Sequence, residues 1–202
     1  MLLIIADSHN LKYKITLDTI LWNDFRSGDD VSFALIYKTY VQPLFKYGSK
    51  FTNDKDLLLD CIQEVFTDIF THRHSIGETN NIKLYLFISL KRKIICSLKN
   101  ETSLESFSDN ETPFFLIYHP ENEVTDFENN IGKMDELKKA LNKLSPKQQE
   151  AIYLRYVSEL DYKEICQILN LNYQSIRNLV HRAIVKLRKI LTCSSFPLFL
   201  LL

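Results

Sequence analysis

Apolar residues recur at helical spacing through the first hundred positions of the chain. Two sets repeat at intervals of three and four residues, which places each set on one side of a helix. The first set consists of Phe33, Ile36, Tyr37, Tyr40, Val41 and Leu44, and the second of Leu58, Cys61, Ile62, Val65, Phe66 and Ile69. A denser apolar pattern over residues 82–99 carries basic side chains between its apolar positions. The first half of the chain is therefore predicted to be a bundle of amphipathic helices.

The last third of the chain has shorter helical segments. They are predicted at Leu137–Leu144, Pro146–Tyr156, Tyr162–Leu169 and from about Tyr173 onward. One continuous apolar stripe marks the last helix, with members Ile176, Leu179, Val180, Ala183, Ile184, Leu187, Ile190 and Leu191. No alternation of apolar and polar residues is long enough to predict a strand. The fold class is therefore predicted as all-α, with two small helical domains.

Charge is unevenly distributed along the 202 residues, although the net charge is zero. Residues 1–100 hold 13 basic and 11 acidic side chains, residues 101–136 hold one and ten, and residues 137–202 hold eleven and four. The acidic stretch is also rich in small polar residues, a composition that disfavours packing, so it is predicted to be a linker. The basic C-terminal third indicates a polyanion as partner.

These patterns predict a domain organisation of five parts. They are an uncertain N-terminal leader at 1–19, a helical domain at 20–100, an acidic linker at 101–136, a second helical domain at 137–192 and an apolar tail at 193–202. Neither the apolar runs nor the start of the chain predicts a membrane span or a secretion signal. The four cysteines stand at least 27 residues apart, which excludes paired-cysteine metal motifs and suits a reducing cytoplasm.

The last two helices are predicted to form a helix-turn-helix. Only the three residues Asn170, Leu171 and Asn172 separate them. Asn170 can adopt the left-handed conformation that a tight turn requires, and Asn172 can cap the next helix. Opposite the apolar stripe lie Ser175, Arg177, Asn178, His181 and Arg182. Arg and Asn read base edges in the DNA major groove, so this face suits DNA; an ordinary helical hairpin with a solvated basic face is the alternative.

Two groups of motifs resemble the sigma-70 family of RNA polymerase sigma factors. In the C-terminal third these are the segments Leu144–Glu150, Tyr153–Tyr156, Asp161–Ile165 and Val180–Ala183. In the first hundred residues they are Gly28–Asp30 with the following apolar residues, the segment Asp60–Phe66, and the helix Leu86–Lys99. The order of the motifs and the acidic linker resemble the short two-domain extracytoplasmic-function (ECF) group. The resemblance covers roughly residues 20–191.

The resemblance implies a transcription initiation factor that binds core RNA polymerase and directs it to promoters. The first domain would bind polymerase and the melted −10 element, with the loop Thr71–Asn81 capturing a flipped base, and the second would read −35 duplex DNA. The side chains expected to contact −35 DNA are Arg155, Tyr162, Ser175, Arg177, Asn178, His181 and Arg182. Those expected to contact −10 DNA are Lys83, Lys91, Arg92 and Lys99. Those expected to contact polymerase are Asp60, Gln63, Glu64 and Phe66. Phe66 also lies on an apolar stripe, so a core position is equally open for it.

The resemblance also carries expectations about partners and location. Many relatives bind an anti-sigma factor, and a cytoplasmic location is expected. The linker either mimics nucleic acid in a basic channel or is a solubilising tether. No catalytic residue, metal or cofactor is predicted.

Two other function classes remain open at the level of sequence. One is a helix-turn-helix regulator that acts without joining polymerase; the motif Asp60–Phe66 speaks against it. The other is a metal-dependent hydrolase, because Glu64, Asp68 and His72 recur every four residues and His74 follows closely. Against the hydrolase, no second helix offers a matching pair of ligands.

Overall fold

The computed structural model describes residues 17–102, 113–116 and 131–192. Within those ranges all regular structure is helical, which confirms the predicted fold class. The chain divides into two compact units, 1–105 and 106–202. Residues 1–16 of the predicted leader, much of the predicted acidic linker and the predicted apolar tail lie outside the described residues. Among the described helices, none combines the length and hydropathy that a membrane span needs.

The described residues of the N-terminal unit form four helices, of which α2, α3 and α4 pack pairwise. Helix α4 contacts both α2 and α3, and α2 also contacts α3. All six members of the second predicted stripe are buried on α3, as the periodicity predicts. The bounds are residues 17–26 for the described part of α1, Asp30–Gly48 for α2, Lys55–Thr71 for α3 and Ile82–Thr102 for α4.

The N-terminal unit differs from its prediction at two places. Residues 17–19, which the sequence pattern assigns to the leader, already belong to α1, and Asp18 is buried there because its carboxylate accepts hydrogen bonds from Tyr40 and Ile82. On α2, Tyr37 is 46% exposed although it lies on the predicted stripe. Its ring meets that of Phe66 at a centroid distance of 4.7 Å.

Local sequence explains how the first two helices are joined and how α2 ends. Gly28 has φ +105°, a conformation that favours glycine, and Asp29 then caps α2 by accepting the amide hydrogens of Val31 and Ser32. At the other end, Gly48 is buried where a Cβ atom would collide with the side chain of Leu58 on α3. The glycine therefore permits the close approach of the two helices.

The described part of the C-terminal unit contains four helices and one π-helical turn. The bounds are Ile131–Asn142 for α5, Pro146–Ile152 for α6 with a π-helical turn at Tyr153–Val157, Tyr162–Leu169 for α7 and Tyr173–Thr192 for α8. Helix α8 packs against α5, α6 and α7. Reciprocal capping boxes begin two of the helices, Ser145 with Gln148 before α6 and Asp161 with Glu164 before α7.

A short segment of the predicted linker packs into the C-terminal unit. Phe114 is 0% exposed and its ring meets that of Tyr153 edge-on at 5.8 Å. The amide of Leu116 donates to Gln149 Oε1 at 2.8 Å, and Gln149 Nε2 donates to the carbonyl of Leu144 at 3.2 Å. Burial raises the pKa of Tyr153 to about 12, so its ring stays neutral in this contact.

Residues 113–116 therefore pack although the composition of 101–136 disfavours packing, and α5 begins inside that stretch, at Ile131. The average charge of residues 101–136 does not show that one aromatic side chain among them, Phe114, is buried in a core.

Replacing Phe114 with Ala is expected to destabilise the C-terminal unit by about 3 kcal/mol, since it removes a fully buried aromatic ring. The neighbouring Phe115, which is 48% exposed, provides the matched control, and Phe115→Ala is expected to cost about 0.5 kcal/mol or less. Urea-dependent hydrogen exchange of peptides covering 146–169 measures both. Equal effects of the two substitutions would contradict the docking of Phe114.

Candidate nucleic-acid and protein interfaces

The turn between α7 and α8 has the predicted geometry. Asn170 ends α7 in the left-handed conformation, with φ 50° and ψ 48°, and the amide of Leu171 returns to the carbonyl of Cys166 at 3.1 Å. Asn172 Oδ1 accepts the amide hydrogen of Ser175 at 2.8 Å, which satisfies one of the free amides at the start of α8. Both predicted roles, the left-handed Asn170 and the capping Asn172, are confirmed.

The apolar stripe of α8 faces the core of the C-terminal unit and leaves a polar face outward. Ile176, Val180, Ala183, Leu187 and Leu191 are buried. Of the five side chains predicted on the opposite face, four are exposed and Ser175 is half-buried; the four are Arg177, Asn178, His181 and Arg182. The helix carries five Lys or Arg and no acidic residue, a charge that suits the phosphates of a nucleic acid.

Hydrogen bonds within α8 organise this exposed face. Gln174 Nε2 donates to Asn178 Oδ1 at 3.1 Å, and Arg182 Nε donates to the carbonyl of Asn178 at 3.3 Å. Sequence reasoning missed Gln174, although its position four residues before Asn178 and near the helix start was a usable signal. Its exposed amide adds a side chain of the type that reads adenine.

Three side chains stack in a row beside the start of α8. The Arg155 guanidinium lies 5.2 Å from the centre of the Tyr162 ring, and the Tyr162 ring meets that of Tyr173 at 5.9 Å. Arg155 Nη1 also donates to the carbonyl of Leu160 at 2.9 Å, so Arg155 braces the turn before α7. Tyr173, which is 47% exposed, was missed from the sequence because aromatic residues there are typical of a core.

In the N-terminal unit, three of the four side chains predicted to contact polymerase lie on the exposed face of α3. Asp60, Gln63 and Glu64 are exposed. Phe66 is 4% exposed and packs against the rings of Phe33 and Tyr37, which favours the core position that the sequence left open for it. Its place on the apolar stripe already allowed this alternative.

Exposed apolar side chains lie beside this polar face of α3. Leu59 and Phe70 on α3 are 51% and 40% exposed, and the Phe70 ring contacts Phe33 on α2 at 4.9 Å. The guanidinium of Arg73 covers one face of Phe70 at 4.7 Å. Sequence reasoning missed Leu59 and Phe70, although Leu59 lies three residues before Ile62 and Phe70 four residues after Phe66, at the edge of the buried stripe. Exposed apolar groups next to polar ones are typical of protein-binding surfaces.

A lysine from α4 fixes two of the carboxylates on α3. Lys93 Nζ lies 2.9 Å from Asp68 and 3.0 Å from Glu64. Hydrogen bonds, first to Asp68 and then to Glu64, raise the pKa of Lys93 above its ordinary value. The proposed metal ligands Glu64 and Asp68 thus bind an ammonium group, and His72 Nδ1 lies 2.9 Å from the backbone carbonyl of Asp68. Among the described residues, no group of three His, Cys, Asp or Glu could hold a metal ion.

The basic residues predicted at the melted strand do not share one face of α4. Since an α-helix advances about 100° per residue, Arg92 and Lys99 lie on the same side, whereas Lys83 lies about half a turn away from Arg92. Arg92 is exposed, and the other three are half-buried. Two of those lie over aromatic rings, Lys83 over Phe87 at 5.7 Å and Lys91 over Phe51 at 6.0 Å.

Comparison with known proteins connects both units to one family. The family described as "Sigma-70, region 4" matches residues 134–187. The chain is 25% identical to the ECF RNA polymerase sigma factor SigM of Bacillus subtilis (strain 168) over 76% of this chain and 91% of that protein. It is 25% identical to the RNA polymerase sigma factor YlaC of the same organism, over 79% of this chain and 91% of that protein.

A solved structure has a similar fold. The sigma factor RpoE from Bartonella quintana, in its co-crystal with the anti-sigma factor NepR, superposes with a TM-score of 0.58 at 22% identity. The match covers 80% of this chain and 98% of that one.

The left-handed turn of the helix-turn-helix gives a test of its geometry. Asn170→Val is expected to destabilise the C-terminal unit by about 1–2 kcal/mol, because a β-branched side chain tolerates φ 50° poorly. Asn170→Gly is expected to change the stability by only a few tenths of a kcal/mol, on the order of 0.3. Gln167→Val, at an exposed position inside α7, is the control and costs only about 0.5 kcal/mol of helix propensity. Urea unfolding measures all three; an Asn170→Val cost no larger than that of Gln167→Val would contradict the strained turn.

Proposed function

Since the chain belongs to the sigma-70 family of RNA polymerase sigma factors, in its ECF group, we propose that its two helical units divide promoter recognition between them. The chain is a transcription initiation factor that binds core RNA polymerase and promoter DNA. The outward face of α8, which carries basic and amide side chains, is the observation that chiefly supports this division.

The C-terminal unit reads −35 duplex DNA through α8. Arg177 and Asn178 lie on the exposed face within the first two turns of the helix, where a recognition helix meets base edges. Gln174 extends that reading surface by one turn, and its bond to Asn178 holds both amides in a fixed orientation. His181 and Arg182, farther along the helix, hold phosphates together with Ser175 at the helix start.

Arg155 and Tyr162 complete this surface from the α6–α7 side. The guanidinium of Arg155 stacks on Tyr162, and one of its N–H groups already bonds the backbone of Leu160. Arg155 therefore fixes the ring of Tyr162 and approaches the DNA backbone with its remaining donors.

The N-terminal unit captures melted −10 DNA with the loop Thr71–Asn81 and with α4. The loop lies between α3 and α4, and its side chains are exposed or half-buried. Arg92 and Lys99 share one side of α4 and bind phosphates there. Lys83, near the loop, supports the strand on the other side, and Lys91 lies between the two sides. This division follows from their positions around the helix.

Core polymerase binds the outer face of α3. Asp60, Gln63 and Glu64 supply its polar contacts, and the exposed Leu59 and Phe70 supply its apolar ones. Lys93 holds Glu64 against α4, which reduces the entropy that Glu64 loses on binding.

A regulator that acts without polymerase is disfavoured, because the matches to SigM and YlaC extend far beyond the helix-turn-helix. The chain acts as an initiation factor without catalysis of its own, in the cytoplasm, where polymerase and DNA are found. RpoE of Bartonella quintana was crystallised with an anti-sigma factor, which supports a partner of that class for this chain as well.

Changing Gln63 and Glu64 to Ala together is expected to weaken binding to core polymerase about tenfold or more, since it removes two exposed polar contacts from the docking face. Lys93 keeps its pair with Asp68, so the fold is preserved. Titration of labelled protein with core polymerase measures the affinity.

The control for this pair lies on another helix. Gln42 and Lys46 are exposed one turn apart on α2, and changing both to Ala removes similar side chains away from the docking face. We expect normal core binding from this control. Normal binding by the Gln63 and Glu64 variant would contradict the docking assignment.

Arg177→Ala is expected to cost about 1–3 kcal/mol of discrimination at one base pair of the −35 element and to relax preference there. Arg182→Ala is expected to weaken all −35 sequences alike and to lower the salt dependence by about one charge. Both are measured as affinities for a −35 duplex and its single-base variants at two salt concentrations.

Arg188 provides the matched control on the same helix. It is exposed and carries the same charge, but it lies about 16 Å farther along the helix axis than Arg177. Arg188→Ala should leave base preference unchanged. If Arg177→Ala behaves like Arg188→Ala, this face of α8 is not the reading surface.

A further inference from the structure

Three side chains on one face of α1 bond the segment between α3 and α4. Asp18, Trp22 and Arg26 follow one another at intervals of four residues, so they lie along a single face of the helix. Each contacts a different point between Gly77 and Ile82. We call these three side chains the α1 anchor.

Trp22 makes the central contact of the α1 anchor. Its indole N–H donates to the carbonyl of Gly77 at 2.9 Å. The ring is completely buried and packs against Phe25 at 5.4 Å and Tyr85 at 5.0 Å. Because the indole is fixed by these rings, the position of the Gly77 carbonyl is fixed with it.

Asp18 and Arg26 act on either side of Trp22. Asp18 is buried, and its carboxylate accepts the amide hydrogen of Ile82 at 3.1 Å and the hydroxyl of Tyr40 at 3.4 Å. Ile82 is the first residue of α4, where an amide has no acceptor within the helix and a negative charge is favourable. Arg26 pairs with the exposed Glu78 at 3.5 Å, which is the weakest of the three contacts.

The loop lacks a core of its own that would fix its shape. None of the side chains from 71 to 81, all of which the structure describes, is buried. At its beginning, Arg73 pairs with Asp30 on α2 at 3.3 Å, an exposed contact. The second half of the loop is therefore held by the α1 anchor together with local hydrogen bonds, in which Thr79 bonds Asn81 and Asn81 Oδ1 accepts the amide hydrogen of Leu84.

We propose that the α1 anchor is a positioning element that sets the base selectivity of the loop at 71–81 without touching the DNA. This inference rests on the proposed function, in which that loop captures an unstacked base. A base pocket discriminates between bases only while its walls stay in place, and a loop that must reorder on binding loses selectivity. Trp22 would thus control selectivity through the backbone of Gly77.

The test uses the full chain bound to core polymerase and a pool of single-stranded DNA randomised over six positions. Oligonucleotides retained by the complex are sequenced, and the enrichment of the preferred base is measured at each position. Trp22→Phe keeps a buried ring but removes the N–H donor, and it is expected to lower the enrichment at the captured position about fivefold, the size expected for one lost neutral hydrogen bond. Arg26→Gln, which alters no fully buried side chain, is expected to lower the enrichment at the captured position about twofold.

Ile94→Val is the control, because it removes one buried methylene-sized group from α4 about 18 Å along the helix axis from Ile82, the point of α4 that the α1 anchor contacts. It should leave enrichment unchanged, and all variants should bind core polymerase and −35 duplex as the wild type does. If the wild type is selective and neither Trp22→Phe nor Arg26→Gln changes its enrichment, the α1 anchor does not set base selectivity, and the proposed role of the loop still stands. A wild type that enriches no base overturns the proposed role of the loop, and this inference with it.

Discussion

The burial of one apolar stripe on each of α3 and α8 determines which side chains the two units can present. On α8 the buried residues from Ile176 to Leu191 leave only the opposite face free, and that face holds the basic and amide groups. On α3 the stripe from Leu58 to Ile69 does the same for Asp60, Gln63 and Glu64. A one-residue change in the register of either stripe would turn the polar side chains toward the core, at a cost of several kcal/mol for each buried charge.

Both interfaces are also organised before a partner arrives. Gln174 and Asn178 bond each other on α8, Arg155 stacks on Tyr162, and Lys93 ties Glu64 to α4. Such exposed contacts add little to the free energy of folding. Their value lies in restricting long polar side chains, which otherwise lose rotamer freedom when they bind.

Features set by neighbouring residues could be predicted from the sequence, and features set by distant ones could not. The left-handed Asn170, the capping Asn172 and the buried stripe of α3 depend on local spacing, and all were predicted correctly. Phe66 could be assigned to the core only when the rings of α2 were seen to cover it.

The remaining features join positions far apart in the chain. Phe114 fills a space beside Tyr153, Lys93 meets Asp68 from another helix, and Asp18 caps α4 across 64 residues. No periodicity within one segment can indicate such contacts, because each depends on how separate helices pack. The outward face of α8 could be predicted in large part, since it is simply what the apolar stripe leaves free, but Gln174 and Tyr173 at its edge required the structure.

The position of Trp22 gives the molecule a natural optical reporter. It is the single tryptophan of the chain, it is completely buried, and its indole N–H is bonded to the loop at Gly77. Indole fluorescence is sensitive to hydrogen bonding and to access of water, so any movement of the loop away from α1 changes the emission of one defined chromophore. Movement of the loop could therefore be followed in time on the unlabelled protein, without a dye on the loop itself.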